Sequence, residues 1–276
     1  MAYPVVDAPY GLAPVNLIGG QVFAGSTRDY SIPYAYATDI FYGDIVALTR
    51  GQIERLSVTT GVVGTVAGIF LGCSFTNPVT KQKQFSQYWP ASTTAGDARA
   101  IICDDPDTVF KAAVCSATTV IASGAQAMVG QNLAMVNNTG NANTGNSRNA
   151  LLAPTDTPAT TAALPIRVLG LVSDTLVSRG TATFVSGAST TVTVTALPFA
   201  LPVGTDVGSI AANGQYISSG SFVDTAAVAG ATTVEINQAP TVAFAASATL
   251  VFTQYPELLV KLNFGLHEYY AGTATA

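Results

Sequence analysis

The stretch from Asp39 to Gly72 narrows the choice of fold more than any other part of this chain. Two short runs, Asp44 to Leu48 and Gln52 to Leu56, flank Thr49-Arg50-Gly51, a compact connection with glycine where positive φ is cheapest. That pattern predicts a β-hairpin. A third run, Val66 to Leu71, is apolar and punctuated by Gly68 and Gly72, as expected where a strand bends tightly or another backbone comes close. Strands broken by glycine in this way suit a small closed β-barrel. Ile166 to Val172 and Leu258 to Phe264 have the same grammar, which predicts that all these pieces share one sheet.

A chain of 276 residues has room for two all-β units, each with its own core. Charged residues are only 10% of it, against about 25% in ordinary globular proteins, so Thr, Ser, Asn and Gln must supply much of the polar surface. Little charge would then have to be desolvated if that surface were packed against other proteins, which favours a subunit of an assembly. The net charge is −5 and no window gathers Lys and Arg, so nucleic-acid binding through phosphates is not expected. The longest apolar run, Val62 to Leu71, is far short of the roughly 20 residues of a membrane span and reads as a buried strand. The start, Met1 to Tyr10, has neither a charged n-region nor an apolar h-region, so synthesis and retention in a cytoplasm are expected. Cys73, Cys103 and Cys115 lack metal-ligand spacing and read as buried thiols.

Residues 1–20 contain Pro4, Pro9 and Pro14 among aromatic and apolar residues. Spaced prolines oppose a regular ladder or helix and predict an extended arm, lying on a neighbouring molecule or over the chain's own barrel. Val22 to Ala24 and Ser31 to Tyr36 read as further strands. Thr76 to Lys81 reads as a hairpin tip ahead of the strand that carries Phe85, Tyr88 and Trp89, the only tryptophan. Tyr88 and Trp89 fit either an interface anchor or rings packed on their own loop. Ala98 to Cys103 and Thr108 to Cys115 are strands on either side of Asp104-Asp105-Pro106-Asp107. Three carboxylates there invite a calcium site, but an Asp-Pro turn leaving a sheet, with no glycine-containing ligand loop around it, accounts for them better. Ala127 to Val136 is expected to form two short strands. Asn137 to Asn149, a polar run without an apolar face, is expected to be an exposed loop.

From Arg179 the composition shifts to short Thr- and Val-rich strands, separated at fairly even intervals by Gly187, Gly204, Gly214, Gly220 and Gly230. This is the signature of a compact antiparallel barrel or sandwich. Because Ile166 to Val172 precedes it and Leu258 to Phe264 follows it, residues 179–253 read as an insertion whose ends lie close together.

Constellations for catalysis are missing from the sequence. His267 is the only histidine, no Gly-x-Ser-x-Gly elbow occurs, and no glycine-rich turn carries the lysine of a phosphate loop. No enzyme activity, cofactor or metal is expected.

Several stretches resemble virion structural proteins of tailed bacteriophages, in particular head decoration (cement) proteins of phages infecting cyanobacteria and marine bacteria. They are Tyr3 to Leu12, Pro14 to Arg28, Gly68 to Phe75, Phe85 to Pro90 and Asn263 to Tyr270. The inserted segment is more loosely similar to small β-modules of phage virion proteins. The resemblance implies a protein, made in the host cytoplasm and carried on the virion head, that binds the major capsid protein and bridges coat subunits against internal DNA pressure. It also implies self-association, as a homotrimer or less often a dimer.

The expected fold class is thus all-β: a β-barrel or jelly-roll-like head-binding domain (residues 21–178 plus 254–276), an inserted small antiparallel β-barrel or sandwich (179–253), and an extended N-terminal arm (1–20). Candidate partner-facing residues are Tyr3, Pro4, Val5, Val6, Tyr10 and Leu12 in the arm, Tyr88 and Trp89 in the loop, and Tyr269 and Tyr270 near the end. The rival expectation is a tail-associated or receptor-binding virion protein that adheres to host surface glycans. A phage hydrolase acting on the host envelope is a third.

Overall fold

A computed structural model describes residues 6, 9–56, 65–115, 126–153, 164–175, 181–187, 189–197, 200–201, 206–210, 216–252 and 255–270. The protein is nearly all β. In chain order the first strands are β1 (Ala13–Leu17), β2 (Arg28–Ser31), β3 (Ile45–Thr49), β4 (Gln52–Arg55), β5 (Gly68–Thr76), β6 (Lys83–Ser86) and β7 (Arg99–Cys103). β3 and β4 form the expected hairpin, with Arg50 and Gly51 both at positive φ. Pairing runs from β3 through β4, β2 and β7 to β5, and β5 returns to β3, which closes a small barrel with β6 as an added edge strand. Its interior holds Val46, Ile53, Phe70, Ala100, Ile102 and Trp89, each essentially without exposed surface.

The chain crosses at Asp104–Asp107 into a second circuit made of β8 (Thr108–Cys115), β9 (Asn132–Val136), β10 (Ala150–Leu152), β11 (Ile166–Leu171) and a last strand reached after the insertion. The insertion supplies β12 (Thr181–Ser186), β13 (Thr191–Val194), β14 (Asp206–Ile210), β15 (Tyr216–Thr225), β16 (Thr233–Ile236) and β17 (Thr249–Phe252), and the last strand is β18 (Glu257–Leu262). β8 pairs with β10, β10 with β9, β9 with β11, β11 with β18, and β18 with β8, so this circuit also closes. β12 to β17 form a third, closed barrel around its own core of Phe184, Val192, Val207, Val223, Leu250 and Phe252.

The hairpin and the strands β11 and β18 therefore do not share a sheet, as their common grammar had suggested. They belong to adjacent barrels. The reason lies in alternation along β3 and β5: Val46 and Phe70 point into the first barrel, while Ile45 and Ile69 point out of it and join Phe110, Leu133, Ile166 and Leu262 of the second in one cluster. Apolar runs of this kind fit strands buried on both faces, as β5 and β18 are, whereas β11 leaves Arg167 and Leu169 exposed, and the runs do not say which sheet a strand joins.

Three local expectations change. Pro14 does not keep the N-terminal region out of a ladder. Residues 13–17 pair antiparallel with β8, and the register slips between Pro14 and Asn16, an irregularity that lets proline sit in an edge strand. Residues 126–128 form a 3-10 turn, so only β9 follows where two strands were expected. Of Val22 to Ala24 only Val22 pairs, through a single bridge to Asn16, and β2 starts earlier than the Ser31 to Tyr36 reading placed it.

Asn137 to Asn149 is the fourth. Ser147 and Asn149 are each 1% exposed, so the run is pinned inward at its end. Its partner is Asp44, fully buried, whose carboxylate accepts from Ser147 Oγ (2.6 Å), Asn149 Nδ2 (2.8 Å) and the Phe41 backbone N–H (2.9 Å), with Arg55 Nε 3.0 Å away. A polar segment needs no apolar face when buried groups satisfy its donors.

Candidate interaction surface

Residues 263–270, which follow β18, carry a short 3-10 turn (Phe264–Leu266) and then run along Val66. The Val66 N–H donates to the Leu266 carbonyl (2.8 Å), and the Glu268 N–H donates to the Val66 carbonyl (2.9 Å). This places Phe264, Tyr269 and Tyr270 outside, at 39%, 44% and 53% exposure, while His267 between them is fully buried. The Phe264 and Tyr270 rings are 4.6 Å apart and Lys261 Nζ lies 4.0 Å over the Phe264 ring.

Tyr269 is fixed from below. Its hydroxyl donates to Asp104, which also accepts from the Tyr30 hydroxyl (3.3 Å) and pairs with Arg28 Nε (3.3 Å). Burial and the bond to Asp104 both push the Tyr269 phenol well above its ordinary value, so it is a donor throughout the physiological range. Asp104 thus faces Tyr269, whereas Asp107 faces Lys261 at 3.8 Å and its backbone N–H donates to Asp105 (2.9 Å). The Asp104–Asp107 segment is a turn with diverging carboxylates. Among the described residues no group of three metal-ligating side chains converges.

Two further apolar areas lie elsewhere. Val15, Ile18 and Val22 are exposed, and Ile18 lines a groove of ≈ 200 Å³ with Leu17, Val109, Leu169 and Leu259. On the first barrel Phe85, 81% exposed on the edge strand β6, overhangs an open groove of ≈ 480 Å³ lined by Tyr42, Leu71 and Ile101.

The sequence-derived candidates separate into four groups. Tyr3, Pro4 and Val5 lie outside the described residues. Leu12 and Trp89 are fully buried, Leu12 in the core between the barrels and Trp89 edge-on to Phe75 at 5.3 Å, so neither offers a partner any side-chain surface. Val6, Tyr10 and Tyr88 are half-buried against their own chain: the Val6 carbonyl accepts from Tyr255 N–H (3.1 Å), the Tyr10 hydroxyl donates to Glu257 (2.5 Å), and Tyr88 stacks on Phe41. Only Tyr269 and Tyr270 stand exposed. Sequence reading missed Phe85, Ile18 and Val22. Phe85 sits among Lys83, Gln84, Ser86 and Gln87, and a lone aromatic in a polar strand was the one available signal.

The three cysteines are buried thiols. Burial pushes Cys73 and Cys115 up to about 12, so the nucleophilic thiolate is scarce at neutral pH.

The third barrel has a different surface. Residues 181–252 carry Asp206, Asp224 and Glu235 and no Lys or Arg. Thr183 pairs with Thr249 and Thr193 with Thr233 across neighbouring strands, and the Thr183 N–H donates to Thr195 Oγ1 (2.9 Å). Comparison with family models, curated proteins and solved structures found no match.

Proposed function

We propose that this protein is a non-enzymatic virion structural protein, a decoration (cement) protein that binds the outside of an assembled phage head and bridges coat subunits. The observation that carries the reading is a weakly charged β surface studded with large apolar side chains, among them Phe264, Tyr269 and Tyr270 around one strap and Phe85 on an edge strand. Aromatic side chains of this kind supply binding energy when a partner excludes water from them, and few charges must be stripped of water when it does. The resemblance of five stretches to phage decoration proteins supports the same reading. The partners are the major capsid protein and other copies of this chain, as a homotrimer or dimer.

The test is binding of purified protein to expanded heads, read by co-sedimentation, together with its copy number in purified virions by gel densitometry. A band comparable with the coat protein is expected, and a minor band would end the cement reading. Replacing Phe264 by Ser and Tyr270 by Ala together should weaken head binding by tenfold or more, about 1.4 kcal/mol, with the protein still folded and its melting temperature lowered by only a few degrees because both rings are partly exposed.

The third barrel favours a second reading, a tail-associated or receptor-binding protein. Its cation-free, hydroxyl-bearing face suits a neutral polyhydroxylated polymer better than an anionic one. Retention of the protein on neutral host glycans, combined with a low copy number, would select it.

A further inference from the structure

The strap of residues 263–270 lies over the seam between the first two barrels. It is held by Val66 in front of β5, by Asp104 in the β7–β8 crossover, and by Asn263, whose N–H donates to the Pro165 carbonyl (2.8 Å) and whose Nδ2 donates to the Leu164 carbonyl (2.9 Å). His267 is its innermost side chain, with no exposed surface. Imidazole Nδ1 accepts the backbone N–H of Tyr269 (3.3 Å), and the ring packs against those of Tyr269 (5.0 Å) and Tyr270 (6.1 Å).

The titratable and charged groups around the ring come from three elements. The strap itself brings Glu268, Tyr269 and Tyr270, the crossover brings Asp104 and Asp105, and β18 brings Lys261. Arg28 and Tyr30 of β2 reach the cluster through the Asp104 carboxylate, which already holds Tyr269, and Asp107 is turned toward Lys261.

We propose that His267 makes the strap an acid-released clasp, docked across the seam while the imidazole is neutral and freed when the ring takes up a second proton. The chemistry is direct. An imidazole that accepts at Nδ1 carries its single proton on Nε2; once both nitrogens are protonated it has two donors and cannot accept the Tyr269 N–H. The protonated ring would also be a charge in a buried place, while the nearest carboxylate is committed to Tyr269, Tyr30 and Arg28. Burial lowers the His267 pKa, and the opposing pull of Asp104 does not cancel it. The sign follows: the freed ring binds a proton at about the ordinary value of 6.5 and the docked ring only at lower pH, so the freed state holds more protons between the two. Docking is therefore at full strength above about pH 6.5 and weakens as pH falls through that value. Release uncovers the backbone donor and acceptor of Val66, the Asp104 carboxylate and the inner faces of the strap's rings.

The experiment uses the full chain, with hydrogen exchange over residues 263–270 read against pH and the imidazole followed by NMR, where a sole histidine gives an unambiguous signal. Corrected for intrinsic rates, exchange of the strap should be about tenfold or more faster at about pH 5 than at about pH 7.5. The control is His267→Asn, whose side-chain oxygen can accept the N–H two residues on, as Nδ1 does, and does not titrate. It should keep the strap equally protected at both pH values. Equal protection in the natural chain at both pH values would overturn the proposal, and so would the same acid loss in the asparagine variant, which would move the response to a carboxyl group. If that variant proves undocked at both pH values, the imidazole titration decides. An apparent pKa below 6.5 that coincides with the loss of protection supports the clasp, and one at or above it overturns the clasp.

Discussion

Asp44 is the residue on which the most local structure depends. Burial pushes its carboxyl pKa up, and Arg55, the Phe41 N–H and Ser147 oppose that push by stabilising the charged form. The same residues tie three segments together. The Gly11 N–H donates to the Asn149 carbonyl (3.0 Å) and the Leu12 N–H to the Gly43 carbonyl (3.0 Å). The backbones meet so closely there that a Cβ on Gly11, at φ +80°, would stand 2.5 Å from the Gly43 oxygen. Asp44→Ala would leave the Arg55 side chain, 15% exposed, facing a vacated buried site, and should cost about 3 kcal/mol, at the lower end for a broken buried pair because Arg55 retains some access to water. The shift of the urea midpoint at constant slope measures it, and the paired change Asp44→Leu with Arg55→Met should cost less than Asp44→Ala alone. None of this was legible at Asp44 itself. In sequence it is one acid at the start of a strand, and two of its partners, Ser147 and Asn149, lie about a hundred residues away in an asparagine-rich run that reads as solvent-exposed.

Among the elements, β1 shows how a segment that looks like a free arm is absorbed into the fold. Val15, on its outer side, and Ile18 just beyond it stay exposed, but Leu12 is fully buried, and the Tyr10 hydroxyl meets Glu257, itself 3% exposed and also 3.2 Å from Lys111 Nζ. Removing residues 1–8 should leave thermal stability within a few degrees of the intact chain, because the burial of Leu12 and the β1 ladder are kept. Removing residues 1–14 takes Leu12 and the Tyr10–Glu257 bond with it. That truncation should lose about 3 kcal/mol or more, the scale of a large core side chain, with a clearly lower melting temperature. Equal melting temperatures for the two truncations would show that β1 contributes little. The hairpin of β3 and β4 was readable because its turn carries its own signal in Arg50-Gly51, whereas the pairing of β1 with β8 depends on residues some ninety positions apart and leaves no local mark.

For the whole molecule, the decisive feature is that the first two barrels share a core and the third has its own. Leu171 pairs with Leu258 in the β11–β18 ladder, so the chain leaves for β12 and returns from β17 at neighbouring points. Replacing residues 179–253 by a short Gly/Ser linker should therefore leave a cooperatively folded protein with the β content of the remaining strands, read by circular dichroism and a single thermal transition. Loss of all cooperative structure would refute the insertion. By itself the sequence determined the all-β class, the β3–β4 and β5–β6 hairpins, and the barrel-like spacing of the Thr- and Val-rich region, because turn chemistry and period-two alternation act over a few residues. Only the tertiary structure decided that the glycine-broken strands divide between two barrels, that Trp89 and Leu12 face inward, and that an asparagine run closes over a buried carboxylate. Each of those outcomes depends on which distant surface removes a side chain from water, and no local pattern encodes that choice.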